Sequence, residues 1–190
     1  MSESTQPEFL EDREFTEEEF DRLLTSVEAI SMKGSGLARL LEAATFEGRL
    51  ERYSEQLSSM LDVSESKALE LLSGVDNHLQ WQAEPGLTGM DAVWVEGGPA
   101  VRNCIRGFVR LKASHSFPEH AHLGQETTLV LQGRLKLDDG RVFGPGDVYV
   151  AEADAVHSLE ALEGPDLLYF VVVHQGIRIG STEILHRDAL

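Results

Sequence analysis

The segment FPEHAHLGQETTLVLQG, residues 117–133, places a set of metal-binding side chains directly before a strand-like run. His120 and His122 are two residues apart, so their side chains share one side of the chain if this segment is extended. The run 127–131 has the β-branched and apolar composition of a buried strand. A turn before that strand would let Glu126 face the two histidines. The segment therefore predicts three ligands that converge on a rigid β scaffold.

A fourth ligand is predicted from a more distant segment. Residues 147–151 have the pattern of a strand, residues 152–155 that of a turn, and a return strand from 156 would bring His157 back beside its neighbours. Three imidazoles and one carboxylate suit zinc, iron, manganese, nickel or copper, and the ligand set alone selects none of them. A closed tetrahedral site would favour zinc in a structural or sensing role. Open coordination positions would instead favour catalysis.

The segment around the histidines belongs to a half of the chain that consists of short apolar runs separated by Gly, Pro and Asp. Asp138-Asp139-Gly140 stands between two such runs and is typical of a tight hairpin turn. No long helical pattern interrupts this half, which predicts an all-β sandwich or barrel. The longest runs are residues 92–95, 105–111, 127–131, 148–150 and 167–173.

The preceding part of the chain shows helical periodicity. One amphipathic helix is predicted from Thr16, a second from about Leu37 to Leu61, and a third from Ser64 to about Gly74. The predicted fold class is α+β, with a small N-terminal helical region followed by an all-β barrel. The predicted boundaries are an acidic disordered tail over 1–15, a helical domain over 16–82, the barrel over 88–178 and a C-terminal tail over 179–190.

The charge of the chain limits its partners. The 190 residues carry a formal charge of −17, and the first 30 contribute ten acidic residues against two arginines. Such a surface repels a phosphate backbone, so direct nucleic-acid binding is not expected. The acidic bias is typical of a solvated surface, and the sharper alternative is a docking face for a basic protein.

No sequence feature indicates a membrane or an oxidising compartment. There is no apolar run of transmembrane length and no basic, apolar leader at the N-terminus. The single cysteine, Cys104, rules out an internal disulfide. A cytoplasmic protein is therefore expected.

The spacing of the candidate ligands is similar to that of the cupin superfamily. His120-x-His122, Glu126 and Gly133 resemble the first cupin motif, and the segment from Gly146 to His157 resembles the second. The resemblance covers about residues 88–175. It implies a jelly-roll barrel in which His120, His122, Glu126 and His157 hold one divalent metal ion, with zinc expected first and iron, manganese or nickel as alternatives.

The chain departs from the cupin motifs at four positions. Ser114 stands where the first motif opens with Gly, and Glu152 and Asp154 stand where the second has Pro and Gly. Ala161 replaces the closing Asn. These positions concern turns more than ligands, so the metal site is still expected.

Residues 117–133 are most similar to the ChrR-type cupins, bacterial anti-sigma factors in which a helical N-terminal domain that binds a sigma factor precedes a metal-binding cupin. The resemblance implies a regulator of transcription whose helical half binds a protein partner, possible binding of a small molecule in the barrel, and pairing into a homodimer. The helical domain of that family also carries a His-x3-Cys-x2-Cys zinc motif. This chain lacks it, because no cysteine follows His78 at the spacing of the motif and the single cysteine, Cys104, lies in the β half.

The sequence is also compatible with two other functions. It identifies no catalytic residue. One is a metal-dependent cupin oxygenase acting on a dicarbonyl or aromatic molecule, although the weight is against an enzyme. The other is a metal-stabilised binding or storage protein.

The histidines and arginines of the β half outside the motifs are expected to have structural roles. His115 and His174 are expected to be strand residues outside the site. Arg106 and Arg110 are expected, with Phe108, on the outer side of their strand, and Ile105, Val109 and Leu111 are expected to face inward. In a barrel with the reverse orientation, Arg110 would instead be a candidate for binding an anion.

Overall fold

The computed structural model describes residues 48–76 and 79–185, which lie in one unit spanning Phe46–Leu190. The second predicted helix does not run unbroken to Leu61, because residues 48–50 form a turn in which Gly48 has a φ of 87°. Its first part (37–47), the predicted tail over 1–15, the helix from Thr16 and His78 lie outside the described residues. Within them, a short 3-10 turn (Glu51–Tyr53) leads into helix α1 (Ser54–Leu61), and helix α2 (Glu65–Gly74) follows. The predicted start of the third helix is confirmed, because the Ser64 side chain accepts a hydrogen bond from the Lys67 amide at the N-terminus of α2.

Twelve strands follow in the described residues and form two antiparallel six-stranded sheets. Sheet A has the order β1-β2-β3-β10-β5-β8, and sheet B has the order β12-β11-β4-β9-β6-β7. The predicted α+β fold, helices followed by a β barrel, is confirmed. The strands are β1 (Gln82–Ala83), β2 (Met90–Trp94), β3 (Cys104–Leu111), β4 (Ser116–His122), β5 (Glu126–Gln132), β6 (Leu135–Leu137), β7 (Val142–Phe143), β8 (Val148–Ala151), β9 (Val156–Ala161), β10 (Leu167–His174), β11 (Ile177–Ile179) and β12 (Thr182–Ile184).

Strand β10 carries apolar or aromatic side chains from Leu167 to Val173, and both of its faces are buried over these residues. Tyr169 and Val171 face the core between the two sheets, whereas Phe170 and Val172 face a second core on the outer side of sheet A. That second core contains Leu57 and Leu61 of α1, both with no exposed surface. The helices therefore form a third layer that covers sheet A.

The predicted orientation of β3 is confirmed, and the structure adds what covers its outer side. Ile105 and Val109 belong to the core between the sheets, as expected. Arg106 lies on the other side of the strand, where it is buried and donates hydrogen bonds to the carbonyls of Arg102 and Cys104. Arg110 lies over the ring of Trp81, 4.2 Å from its centroid, which is a cation–π contact.

An arginine connects the helical layer to the sheet. Arg49 donates two hydrogen bonds, of 2.8 and 2.7 Å, to the carboxylate of Asp76 at the end of α2. Its third donor lies 2.7 Å from the side-chain oxygen of Gln132 on β5. The guanidinium thus joins both ends of the helical segment to sheet A.

Ser114 and Asp154, which replace glycines of the cupin motifs, keep a left-handed backbone. Their φ angles are 61° and 66°. A side chain in this region costs energy relative to glycine, and Asp tolerates it better than most residues. The two turns are therefore retained with non-glycine residues.

Candidate metal centre

Three of the predicted ligands come from adjacent strands of sheet B. His120 and His122 lie on β4, and His157 lies on β9, where it is the direct cross-strand neighbour of His120. The pairing of β4 with β9 is irregular between Phe117 and His120. This irregularity places both Phe117 and His120 in the interior although they are three residues apart.

The three imidazoles form a compact buried cluster. Their ring centroids are 4.5 Å apart for His120 and His157, and 4.8 Å apart for His122 with either of the others. One ring nitrogen from each histidine lies within 4.8 Å of the other two. At least 95% of the surface of each residue is buried, with exposed fractions of 3%, 1% and 5%.

The hydrogen bonds of the cluster leave nitrogen lone pairs available. Nδ1 of His120 lies 3.0 Å from the Pro118 carbonyl, and Nδ1 of His157 lies 2.9 Å from the hydroxyl of Tyr149. Both nitrogens of His122 and Nε2 of His157 are buried with no hydrogen-bond partner. Unpartnered buried nitrogens are costly unless something coordinates them, so this arrangement fits a metal ion bound by imidazoles.

The electrostatics of the cluster favour neutral imidazoles, the form that binds metals. Burial lowers the pKa of His120. Burial, together with the neighbouring histidines, lowers the pKa of His122 and of His157 to about 4. All three rings therefore carry a free lone pair at neutral pH.

Glu126, the predicted carboxylate ligand, lies next to this cluster at the start of β5. Its Oε2 is 3.6 Å from Nδ1 of His122, and its Oε1 accepts a 2.8 Å hydrogen bond from the Thr128 hydroxyl. Burial raises the pKa of this carboxyl to about 7. The group of potential ligand atoms that all lie within 4.8 Å of one another, carboxylate oxygens being eligible, contains the three histidines and does not include Glu126. The structure thus brings the carboxylate to His122, and its role as a ligand remains a prediction.

A cavity of about 70 Å³ reaches the cluster from between the two sheets. His120 and Glu126 line it together with mainly apolar side chains, among them Phe117, Val171 and Ile177.

Two further histidines of the β half, His115 and His174, lie outside the cluster. His115 hydrogen-bonds through Nδ1 to the carbonyl of Ala113. His174 ends β10, with its Nδ1 3.2 Å from the sulfur of Cys104, a buried thiol whose pKa burial raises. Neither histidine belongs to the group of three.

Tyr149 is the site residue that sequence reasoning missed. It stands between Val148 and Val150, both of which are about half exposed, so the alternation of the strand indicates that Tyr149 points inward. That signal is present in the sequence. Its contact with His157, however, joins strands of different sheets and depends on the closure of the barrel.

Among the described residues, no helix has the length and apolar character needed to cross a membrane.

Comparison with known proteins places these features in context. Residues 76–176 match the family described as the ChrR cupin-like domain. The anti-sigma-E factor ChrR of Cereibacter sphaeroides is 32% identical over 98 residues, which are 50% of this chain and 38% of that protein. The chain therefore spans well under half the length of this curated relative.

Two solved structures illustrate the range of similar folds. The complex of Rhodobacter sphaeroides SigE with the anti-sigma ChrR matches with a TM-score of 0.50 at 19% identity, over 81% of this chain and 74% of the other. An acetylacetone dioxygenase from Acinetobacter johnsonii matches with a TM-score of 0.48 at 12% identity, over 55% of this chain and 78% of the other.

Proposed function

We propose, from the premise that this chain belongs to the ChrR cupin-like domain family, that it is a metal-binding regulator of transcription that acts by binding a sigma factor. The observation that carries this proposal is the extent of the fold likeness to ChrR. It covers 81% of this chain, more than the residues that the family model matches. The proposed partner surface is in the helical half, and the acidic N-terminal residues suit a basic partner.

The metal centre is the second part of the proposal. His120, His122 and His157 would hold one divalent ion, with Glu126 as the fourth ligand. Zinc is the metal we expect first, because four protein ligands in a closed set suit a structural or sensing zinc site. Iron, manganese and nickel are the alternatives for the same donors. The ion would supply a fixed positive charge and a Lewis-acid centre at the end of the cavity.

The metal content of the natively purified protein tests the site. Elemental analysis should find about one equivalent of metal in the wild type and none in the His120→Ala, His157→Ala double variant. His115→Ala is the matched control, because this histidine lies outside the cluster, and it should keep the metal. A wild type without metal, or a double variant that retains it, would refute the assignment.

Capture of the partner tests the regulatory role. The tagged full chain, expressed in the organism from which it comes and purified at low salt, should retain a sigma factor. Mass spectrometry of the purified sample identifies it. We expect recovery to fall at high salt, because the charges of the acidic N-terminal residues are screened. The double histidine variant, run in parallel, shows whether the partner requires the metal. Absence of any sigma factor at low salt would count against the proposal.

A metal-dependent oxygenase is the second candidate function, and the cavity that reaches His120 and Glu126 is the observation that favours it. It predicts that the iron-loaded full chain consumes oxygen in the presence of a small dicarbonyl compound. No consumption above that of the double histidine variant would remove this candidate.

We also propose that the protein is a homodimer and is located in the cytoplasm, as expected from the sequence. Light scattering coupled to gel filtration should give a mass of about two chains at micromolar concentration. A monomer mass would contradict the dimer.

A further inference from the structure

The walls of the cavity restrict what it can hold. The side chains on its long sides are apolar and come from both sheets, including Met90, Ile105 and Val109 from sheet A and Phe117, Leu159 and Ile177 from sheet B. Among the described residues that line it, none is a lysine or an arginine. A charged group placed along these walls would lose its hydration without gaining a counter-charge.

Polar atoms are concentrated at two places. One is the inner end, where His120 and Glu126 lie near the buried hydroxyl-bearing ring of Tyr169, whose pKa is raised by burial and by the carboxylate of Glu126. The other is Glu84, which accepts a 3.1 Å hydrogen bond from the indole nitrogen of Trp94. Both of these residues are half-buried. The other described lining residues are mainly apolar.

The mouth lies between the edges of the two sheets. The partly exposed lining residues Glu84 and Ile184 adjoin or belong to β1 and β12, which are the edge strands of sheets A and B.

The proposed metal ion would determine the net charge at the histidine end of the cavity. If the proposed metal is bound, a divalent ion and the single carboxylate of Glu126 leave one net positive charge beside three neutral imidazoles. One anionic oxygen would neutralise that charge in a water-poor site. A second anion on the same ligand would find no lysine or arginine among the described residues that line the cavity.

We propose that the cavity binds a small apolar molecule with a single anionic oxygen head group, which lies at the histidine end while the apolar body fills the space between the sheets. This assignment rests on the proposed metal site. It names the ligand class for either a sensor or an enzyme.

Two six-carbon acids test the proposal, because they differ only at the distal end. Hexanoate has one carboxylate and a methyl terminus, whereas adipate has a carboxylate at both ends. Isothermal titration of the metal-loaded full chain should show binding of hexanoate, with adipate at least about 100-fold weaker because its second charge must be buried. Equal affinities, or tighter binding of adipate, would overturn the proposed ligand class.

Variants of the cavity locate the binding. Val171→Phe places a ring into the cavity and should reduce hexanoate affinity at least about tenfold. Ile184→Phe, at the mouth, serves the same purpose if Val171→Phe does not fold. Val148→Phe is the matched control, because Val148 is 46% exposed and does not line the cavity, and it should bind like the wild type. Undiminished affinity in both folded cavity variants would contradict binding at this site.

The metal content of the same samples separates the two proposals. Hexanoate that fails to bind a fully metal-loaded protein refutes the ligand class and leaves the metal site intact. A protein that contains no metal refutes the metal site itself, and the ligand proposal falls with it.

Discussion

At the scale of single residues, the proton on His157 determines whether this ring can bind a metal through Nε2. Nδ1 of His157 lies 2.9 Å from the Tyr149 hydroxyl, and Nε2 has no partner. If Nδ1–H donates to the tyrosine oxygen, the lone pair of Nε2 is free, which is the usual arrangement of metal-binding histidines. Tyr149 would then be a positioning residue for the metal centre.

We expect Tyr149→Phe to weaken metal binding by about 10- to 100-fold, because the acceptor that orients His157 is lost. Competition with a chelator of known affinity measures this change. Tyr53→Phe is the control, since Tyr53 is buried in the helical layer rather than in the barrel. An unchanged affinity of Tyr149→Phe would show that this tyrosine does not orient the ligand.

A second residue-scale prediction concerns the left-handed backbone of Ser114, whose φ is 61°. We expect Ser114→Gly to stabilise the protein by about 0.5–1 kcal/mol, because relief of left-handed strain exceeds the entropy cost of glycine. Urea unfolding measures the difference. Ser116→Gly, two residues later in strand β4, should instead destabilise the protein. A loss of stability in Ser114→Gly would contradict the prediction.

The sequence contained most of the information needed for the candidate site. The spacing of His120 and His122 and the strand-turn-strand pattern before His157 predicted that the three rings converge, as they do. The irregular pairing between Phe117 and His120 was not predictable, because it depends on the register of β4 with β9. Glu126 begins β5 of sheet A, whereas the three histidines lie on β4 and β9 of sheet B. This division between the two sheets was likewise not predictable from the sequence.

At the scale of secondary-structure elements, the contact of Arg49 with Asp76 and Gln132 holds the helical segment to sheet A. The hydrogen bond from Arg49 lowers the pKa of Asp76 below its usual value of 3.8. The carboxylate is therefore charged in the folded state at neutral pH. Its contact with Arg49 stabilises the folded state at every pH at which the carboxyl group is ionised. This contribution is fully present above the usual pKa and is lost as the pH falls through the lowered one.

We expect Asp76→Asn to destabilise the protein by about 1 kcal/mol at pH 7, since a two-pronged arginine contact is stronger than an ordinary surface pair. The difference from the wild type should shrink as the pH falls below 3.8, the usual pKa of this carboxyl. Urea unfolding at several pH values measures it. Glu70→Gln, which removes an exposed pair with Lys67, is the control and should change little. A difference that does not depend on pH would contradict the role of the charge.

The elements of the β half were predicted more completely than their surroundings. The five longest apolar runs each fall on a strand, and the Asp138-Asp139-Gly140 turn connects β6 to β7. The cover of sheet A by helices was not predicted, although the unbroken apolar character of β10 is its signature. A strand that alternates has one buried face, whereas a continuously apolar strand needs two. Periodicity alone does not predict which secondary-structure element packs on the second face of the strand.

At the scale of the whole molecule, the helices and the barrel share a core. Leu57 and Leu61 of α1 belong to the same cluster of buried residues as Phe108, Leu129 and Phe170 of sheet A. Neither layer can lose its partner without exposing these side chains. The described helices should therefore unfold together with the barrel.

We expect Leu57→Ala to destabilise the protein by about 2–5 kcal/mol, because this side chain has no exposed surface. Far-ultraviolet circular dichroism and tryptophan fluorescence should report a single, coincident transition in both wild type and variant. Leu185→Ala is the matched control, since Leu185 is 53% exposed, and it should cause little change. Separate transitions of the two signals would show that the layers unfold independently.

The two buried faces of β10 also limit how this protein can diverge over evolutionary time. Every position from Leu167 to Val173 packs against either the barrel interior or the helical layer. In β8, by contrast, Val148 and Val150 are exposed and only Tyr149 and Ala151 are buried. A scan of all single substitutions should therefore find an uninterrupted intolerant stretch in β10 and an alternating pattern of tolerance in β8. Natural variants that drift in sequence will accumulate changes in β8 long before β10 admits any.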